Sequence, residues 1–288
     1  MARPFRIVIA AICLLLLNLS VPAQQAQNPS PMVEHSRAHP RLKEQRPSGQ
    51  REALEIGTLF IPQALKGKPS IPLLIHFHGG GWLSELAASQ IRSAVISIQA
   101  GSGSGVYAKA FGDPARFGKL LSEAESKARV HFTRISLSGW SAGHGSIREI
   151  LKTQEYFDRV DAVLLIDGLH TGYVNGKPGP QESQLEPENL KIFEKFAREA
   201  VAGRKRMLVT HSEIFPGTFA STTETADWLL AQLGVKRRTV LKWGPMGTQQ
   251  ISEAASGRFR LIGYAGNTAP DHVDQLHSLA EYLKWLWR

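Results

Sequence analysis

From Arg51 onward, short apolar runs alternate with stretches of helical spacing, and no other feature of the 288-residue chain constrains the fold as much. Runs at 53–61, 71–77, 93–99, 131–137, 160–166, 206–210 and 258–263 read as strands, and 239–243 adds one of open direction. Helical spacing covers 114–129, 143–152, 187–201 and 273–287. Apolar runs separated by helices belong to an α/β fold: a mostly parallel, doubly wound sheet with helices on both faces, here in a single domain over 51–288. Apolar residues at 42% and charged residues at 20% supply a core for it and exclude a disordered or fibrous chain.

The segment ahead of this domain has a different character. Arg3 and Arg6, the apolar run 7–17 and Val21-Pro22-Ala23 make residues 1–23 a secretory signal, with cleavage expected before Gln24. The run falls short of the roughly 20 residues a membrane-spanning helix needs, so a secreted or periplasmic protein without a stable span is expected. Cys13, the one cysteine, lies in this segment. The cleaved protein then has no thiol, which excludes a disulfide framework, a cysteine nucleophile and a cysteine metal site. Residues 24–50, rich in Gln, Pro, Ser and Arg, read as a disordered lead-in.

Loss of Arg3 and Arg6 lowers the net charge from +9 to +7. The densest basic runs, Arg204-Lys205-Arg206 and Lys236-Arg237-Arg238, read as solvated surface or, more sharply, as attraction to an anionic envelope polymer. No aromatic residues interleave with them, so nucleic acid is not an expected partner.

Two motifs carry chemistry. Gly139-Trp140-Ser141-Ala142-Gly143 sits where a strand ends and a helix begins. A serine on so sharp a turn needs small neighbours, and its hydroxyl stands above the sheet at a helix N-terminus, where the Ala142 N–H can stabilise an oxyanion. His76-Phe77-His78-Gly79-Gly80-Gly81-Trp82 follows another strand. Its three glycines let backbone N–H groups approach a developing negative charge. Both turns fall at carboxyl ends of the parallel strands, where such sheets gather their sites.

Together these residues resemble the esterase and lipase branch of the α/β-hydrolase superfamily, with its HGGG-type oxyanion loop and GxSxG elbow. The resemblance implies a Ser, acid, His triad in that chain order, with Ser141 as nucleophile and the N–H groups of Ala142 and of Gly80 or Gly81 as oxyanion donors. The base it requires lies between the last strand and the last helix, where His272 precedes the helix and His277, the alternative, falls inside it. The acid must end a strand near that histidine. Asp167, followed by Gly168, is preferred for residue type and turn; Glu213 holds the position most of the superfamily uses.

A metal hydrolase built from His76, His78, His144 and His170 is the lesser reading, because no carboxylate completes a ligand motif. Neither metal nor cofactor is expected, and His76 and His78 are assigned to orienting the glycine loop. The insertion 169–203 forms either a lid or pocket wall, or an ordinary crossover helix with a long leader. Trp82, Trp140, Tyr173 and Phe215 are candidate pocket aromatics. The expectation is an exported serine hydrolase acting on a small-molecule ester or acylated substrate. A peptidase or amidase on the same triad, and a non-catalytic protein binding an envelope ligand, are the alternatives.

Overall fold

The computed structural model describes residues 38–174, 176 and 184–287. The signal segment with Cys13, the lead-in as far as residue 37, and the Pro178-Gly179-Pro180 turn lie outside the described residues. The folded unit runs His39–Arg288.

In chain order its elements are β1 (Gly49–Ala53), β2 (Thr58–Pro62), β3 (Ser70–Phe77), α1 (Gly81–Ile91), β4 (Ala94–Ile98), α2 (Ser104–Ala110) and α3 (Ala115–Ala128). β5 (His131–Trp140), α4 (His144–Lys152), α5 (Gln154–Arg159), β6 (Val160–Ile166), α6 (Glu188–Val201), β7 (Arg206–His211) and α7 (Thr222–Leu233) follow. β8 (Arg238–Trp243), β9 (Gln249–Ser256), β10 (Phe259–Tyr264), α8 (Ala269–His277) and α9 (Leu279–Leu286) complete the chain.

The strands form one sheet in the order β1-β2-β4-β3-β5-β6-β7-β10-β9-β8. The six strands from β4 to β10 in that order are parallel. An antiparallel strand pair closes each edge. The alternation of side chains along each strand splits the core in two. Leu73, Ile75 and Phe77 of β3 face α2 to α7, packing with Tyr107, Phe117, Ile147, Phe193 and Leu229. Leu74, with Leu164 and Leu208, faces α1 and α9, against Ala87, Ala88, Tyr282 and Leu283. Both faces are therefore covered, the condition under which parallel strands read as unbroken apolar runs. This is the doubly wound arrangement expected of an α/β-hydrolase fold.

Several elements differ from the sequence reading. The run 53–61 is two strands rather than one, because the chain turns at Gly57, whose φ of +91° suits glycine. β9 and the helices α1, α2, α5 and α7 were not expected from spacing. The closing helix starts at Ala269, capped by Thr268 and Asp271, and breaks at Ser278. His272 therefore sits in the first turn of α8 rather than ahead of it, its N–H donating to the Thr268 carbonyl at 3.2 Å.

Part of the expected lead-in is tied to the fold by polar bonds. His39 Nδ1 lies 2.8 Å from Asp274 Oδ2, Arg41 donates to the Pro270 carbonyl at 3.0 Å, and the Leu42 N–H donates to His277 Nδ1 at 3.1 Å. In the basic runs Arg204, Lys236 and Arg238 are exposed, as expected of solvated surface, and the other members are partly drawn into the fold. Lys205 is buried and donates to the carbonyls of Asp158 and Val160, Arg206 reaches the Leu286 carbonyl, and Arg204 pairs with Glu199. Arg237 binds Asp227, His211 and Ser252, while Arg238 pairs with Glu253. Among the described residues no helix is long and apolar enough to cross a membrane.

Candidate active site

The elbow is a product of crowding. A β-carbon on Gly139 would lie 2.9 Å from the Gly143 carbonyl carbon, and one on Gly143 would lie 2.8 Å from the carbonyl carbon of Phe77, at the end of β3. Only glycine lets β5 turn so sharply against its neighbour. Ser141 takes the strain, with φ at +49°, in the left-handed region that costs a non-glycine residue about 1–2 kcal/mol. Gly168 approaches from β6, where a β-carbon would stand 2.8 Å from the Ser141 nitrogen. Ser141 is half-buried, and among the described residues its hydroxyl has no hydrogen-bond partner.

Beside it stands a carboxylate–imidazole pair. Asp167 ends β6 with φ at +41° and is 2% exposed. Its Oδ1 accepts hydrogen bonds from the Ser212 N–H at 2.9 Å and from Thr222 Oγ1 at 2.6 Å. Oδ2 accepts from Ser212 Oγ at 2.7 Å and lies 2.6 Å from His272 Nδ1. Burial pushes this carboxyl upward, but the His272 hydrogen bond and charge, with Thr222 and Ser212, outweigh it and hold the pKa at about 2. With Nδ1–H directed at a carboxylate, Nε2 of His272 is the basic atom.

Trp140 braces the pair. Its ring stacks on His78 at 4.9 Å and lies 4.5 Å from the His272 ring, and its Nε1–H donates to the His272 carbonyl at 3.1 Å. The residue preceding the serine thus holds the histidine, joining β5 to α8. Trp140 is a brace rather than the pocket wall expected from sequence.

The competing triad residues are elsewhere. Glu213 is exposed and accepts from the Gly266 N–H at 3.3 Å. His277 accepts from Leu42 and packs edge-on against Trp82 at 5.8 Å. The structure pairs Asp167 with His272 and neither alternative with the other.

Ser141 and Ala142 open onto a cavity of about 420 Å³, whose walls include His78, His144, Arg148 and Phe219. Gly81 and Trp82 instead line a second cavity of about 430 Å³ with Gly79, Arg51 and Glu85. Neither lines the cavity on which Ser141 stands. The chain enters α1 at Gly81, so the third glycine belongs to that helix's first turn, and Gly80 is its exposed N-cap. Ala142 remains on the serine's cavity, and the glycine loop meets the elbow through Phe77 and Gly143.

Tyr173 is also displaced from its expected role. It is buried and donates to the Glu224 carboxylate at 2.9 and 3.1 Å, and burial with that neighbour pushes its pKa up to about 12. Phe215 is 62% exposed, and Phe219 stands at the cavity in its place. Thr171, Gly172 and Asn189, from the insertion, form a wall of the cavity, while α6 is the crossover helix between β6 and β7.

Of the histidines ahead of the glycines, His76 is hydrogen-bonded to the backbone of His78 at the start of the loop. His76 is buried beside Ser138 Oγ at 3.2 Å, its pKa lowered to about 4 by burial and the charge of His78. His78 shares a hydrogen bond with the Tyr107 hydroxyl at 3.0 Å. Gln99 restrains the loop, its Oε1 accepting from the Gly79 N–H at 2.9 Å. Among the described residues the side chains close enough to hold a metal ion are His39, Asp271 and Asp274, and there Asp274 already pairs with His39 and Arg41.

Sequence reasoning missed Ser212, Thr222 and Arg148. Ser212 had a signal: β6 and β7 run parallel, so the end of β7 lies beside Asp167. Thr222 had only the helix-start pattern of Ser221 and Glu224, which caps α7.

No family model matches this sequence, and no curated protein matches it. Solved structures do. An acetyl xylan esterase from Aspergillus awamori is 16% identical, with 83% of this chain and 99% of that one covered and a TM-score of 0.48. An S-formylglutathione hydrolase from Agrobacterium tumefaciens is 11% identical, covering 82% and 92%, with a TM-score of 0.45. The poly(3-hydroxybutyrate) depolymerase LpqC from Bordetella parapertussis is 13% identical, covering 83% and 90%, with a TM-score of 0.45. The α/β-hydrolase arrangement of this chain rests on its own strand order and on the serine elbow after β5.

Proposed function

We propose that this protein is a serine hydrolase that cleaves carboxylic esters through an acyl-enzyme. The observation that carries the reading is the Asp167–His272 contact of 2.6 Å, braced by Trp140, the residue that precedes a strained Ser141 on a cavity wall. Backbone strain of this kind clusters at active sites, and a buried carboxylate on Nδ1 fixes the tautomer and orientation a histidine base needs.

In this mechanism Ser141 Oγ attacks the ester carbonyl carbon while its proton passes to His272 Nε2. Asp167 holds the imidazole by Nδ1 and stabilises the imidazolium without taking the proton. The carbonyl oxygen becomes an oxyanion facing the Ala142 N–H, with a second donor from the 78–80 loop. Collapse breaks the carbon–alkoxide bond, and the alcohol leaves with the proton from His272. Water then attacks the acyl-enzyme with the same histidine as base, releasing the acid and restoring Ser141. Export through the segment 1–23 belongs to this proposal, and N-terminal sequencing of the secreted or periplasmic protein checks it.

The test is a fluorophosphonate probe at neutral pH, with adducts mapped by peptide mass spectrometry. Labelling at Ser141 is expected, with none in Ser141→Ala and a large loss in His272→Ala. A folded protein that takes no label removes the proposal.

A further inference from the structure

The serine's cavity holds a charge that the reaction itself does not need. Arg148 lies seven residues beyond Ser141 on α4, about two helical turns from the elbow, and its side chain forms part of the cavity wall. Its Nε donates to Glu149 Oε1 at 2.9 Å, while among the described residues the two terminal nitrogens have no partner. Glu149 also pairs with Lys152 at 2.7 Å, so the three side chains together keep one net positive charge. None of the described residues on the cavity wall is a carboxylate. His144, on the same wall, donates Nδ1–H to the Ser141 carbonyl at 3.0 Å and is held neutral, burial lowering its pKa to about 3. Asn189 adds a neutral amide. A half-buried guanidinium held by Glu149 at Nε, with both terminal NH2 groups unpartnered among the described residues, suits a planar, singly charged acceptor. A phosphate dianion lacks a second cation here.

Resting on the serine-hydrolase reading, we infer that Arg148 is a specificity-determining residue, and that the substrate is an ester carrying a carboxylate some distance from the scissile carbonyl. Ser141 and Arg148 line one cavity of about 420 Å³, which leaves room for a spacer between carbonyl and carboxylate, so the carboxylate belongs to a dicarboxylic acid monoester or to the alcohol side of an ester.

The experiment compares kcat/KM for matched esters. Mono-4-nitrophenyl adipate against 4-nitrophenyl hexanoate tests the acyl side, and 4-acetoxybenzoate against phenyl acetate tests the alcohol side. The readout is the ratio of anionic to neutral ester, in the wild type, Arg148→Lys and Arg148→Gln. A charge-assisted pair predicts a ratio well above one on one side, reduced about 10–100-fold by Arg148→Gln and less by Arg148→Lys. Damage to the fold lowers both esters and leaves the ratio unchanged. Ratios near one on both sides, or a preference that survives Arg148→Gln, overturn the inference.

Failure of the serine mechanism is read separately, as turnover that persists in Ser141→Ala or is absent from wild type. Binding then decides. Calorimetric titration of Ser141→Ala with adipate and with its uncharged diamide supports the site if adipate alone binds and Arg148→Gln abolishes it. Equal binding of the two, or none, overturns it.

Discussion

The two glycine-rich turns look alike as strings of small residues, yet the structure treats them differently. In the elbow both glycines are demanded by backbone: Gly139 closes on Gly143, and Gly143 closes on Phe77. In the loop after β3, the nearest atoms to a β-carbon on Gly81 are the Ser97 side chain at 3.6 and 3.8 Å, an ordinary contact, and Gly80 meets only the Trp82 side chain. Gly79 is the constrained member, with φ at +110°. Crowding by backbone cannot relax, whereas a neighbouring side chain can move. A run of glycines therefore states where a tight turn is allowed, and only packing states which glycine the turn requires.

The comparison can be tested from its strongest consequence downward. Asp167→Asn should lower kcat about 10³–10⁴-fold, because Ser212 and Thr222 keep the side chain in place while the imidazole loses its oriented tautomer. Glu213→Gln should change turnover by less than about threefold, as befits an exposed group; ester kinetics on both variants decides which carboxylate serves the histidine. Gly143→Ala should cost about 3 kcal/mol of stability in denaturant melts, since the added carbon meets the Phe77 backbone.

His76 lies just ahead of the loop and His144 just past the elbow, and both are buried with pKa values lowered from 6.5 to about 4 and about 3. A histidine whose folded pKa is depressed leaves the unfolded chain as the better proton acceptor. Stability should be full above about pH 6.5, and each group should remove about 2 kcal/mol by pH 5, with the loss ending only as the folded histidines protonate near pH 3–4. Melts at pH 7 and pH 5 on the wild type and on His76→Gln measure it, the variant showing the shallower slope. The smallest effect is expected for Gly81→Ala, under about 1 kcal/mol, where alanine is also the better helix residue at the start of α1. A large loss there would place the third glycine under the same constraint as the elbow.

The candidate triad was legible in the sequence to an uneven degree. Ser141 announced itself through local context, a strand followed at once by small residues and a helix. His272 was found by position, although the capping of α8 by Thr268 and Asp271 draws it into the helix. Residue type and the Asp167-Gly168 turn favoured Asp167 over Glu213, but the bond itself spans 105 residues of chain and has no local pattern. The pocket was read poorly. Aromatic residues near the motifs were named for it, yet Trp140 became a brace, Tyr173 joined Glu224, and Trp82 went to a second cavity. Within the basic runs Arg204, Lys236 and Arg238 are exposed, as read from the sequence, whereas Lys205 and Arg237 reach carbonyls and a carboxylate of neighbouring elements.

What the sequence by itself determined is what depends on neighbours along the chain: the six parallel strands, the helices with a clear apolar face, and the strained turn bearing Ser141. Those features follow from side-chain period and backbone sterics, which act within a few residues. The tertiary structure alone decided which carboxylate reaches the histidine, which glycines are indispensable and that Arg148 faces the serine's cavity. Each of these depends on atoms brought together across the sheet, and it is the close packing of the fold that selects among partners the local pattern leaves equivalent.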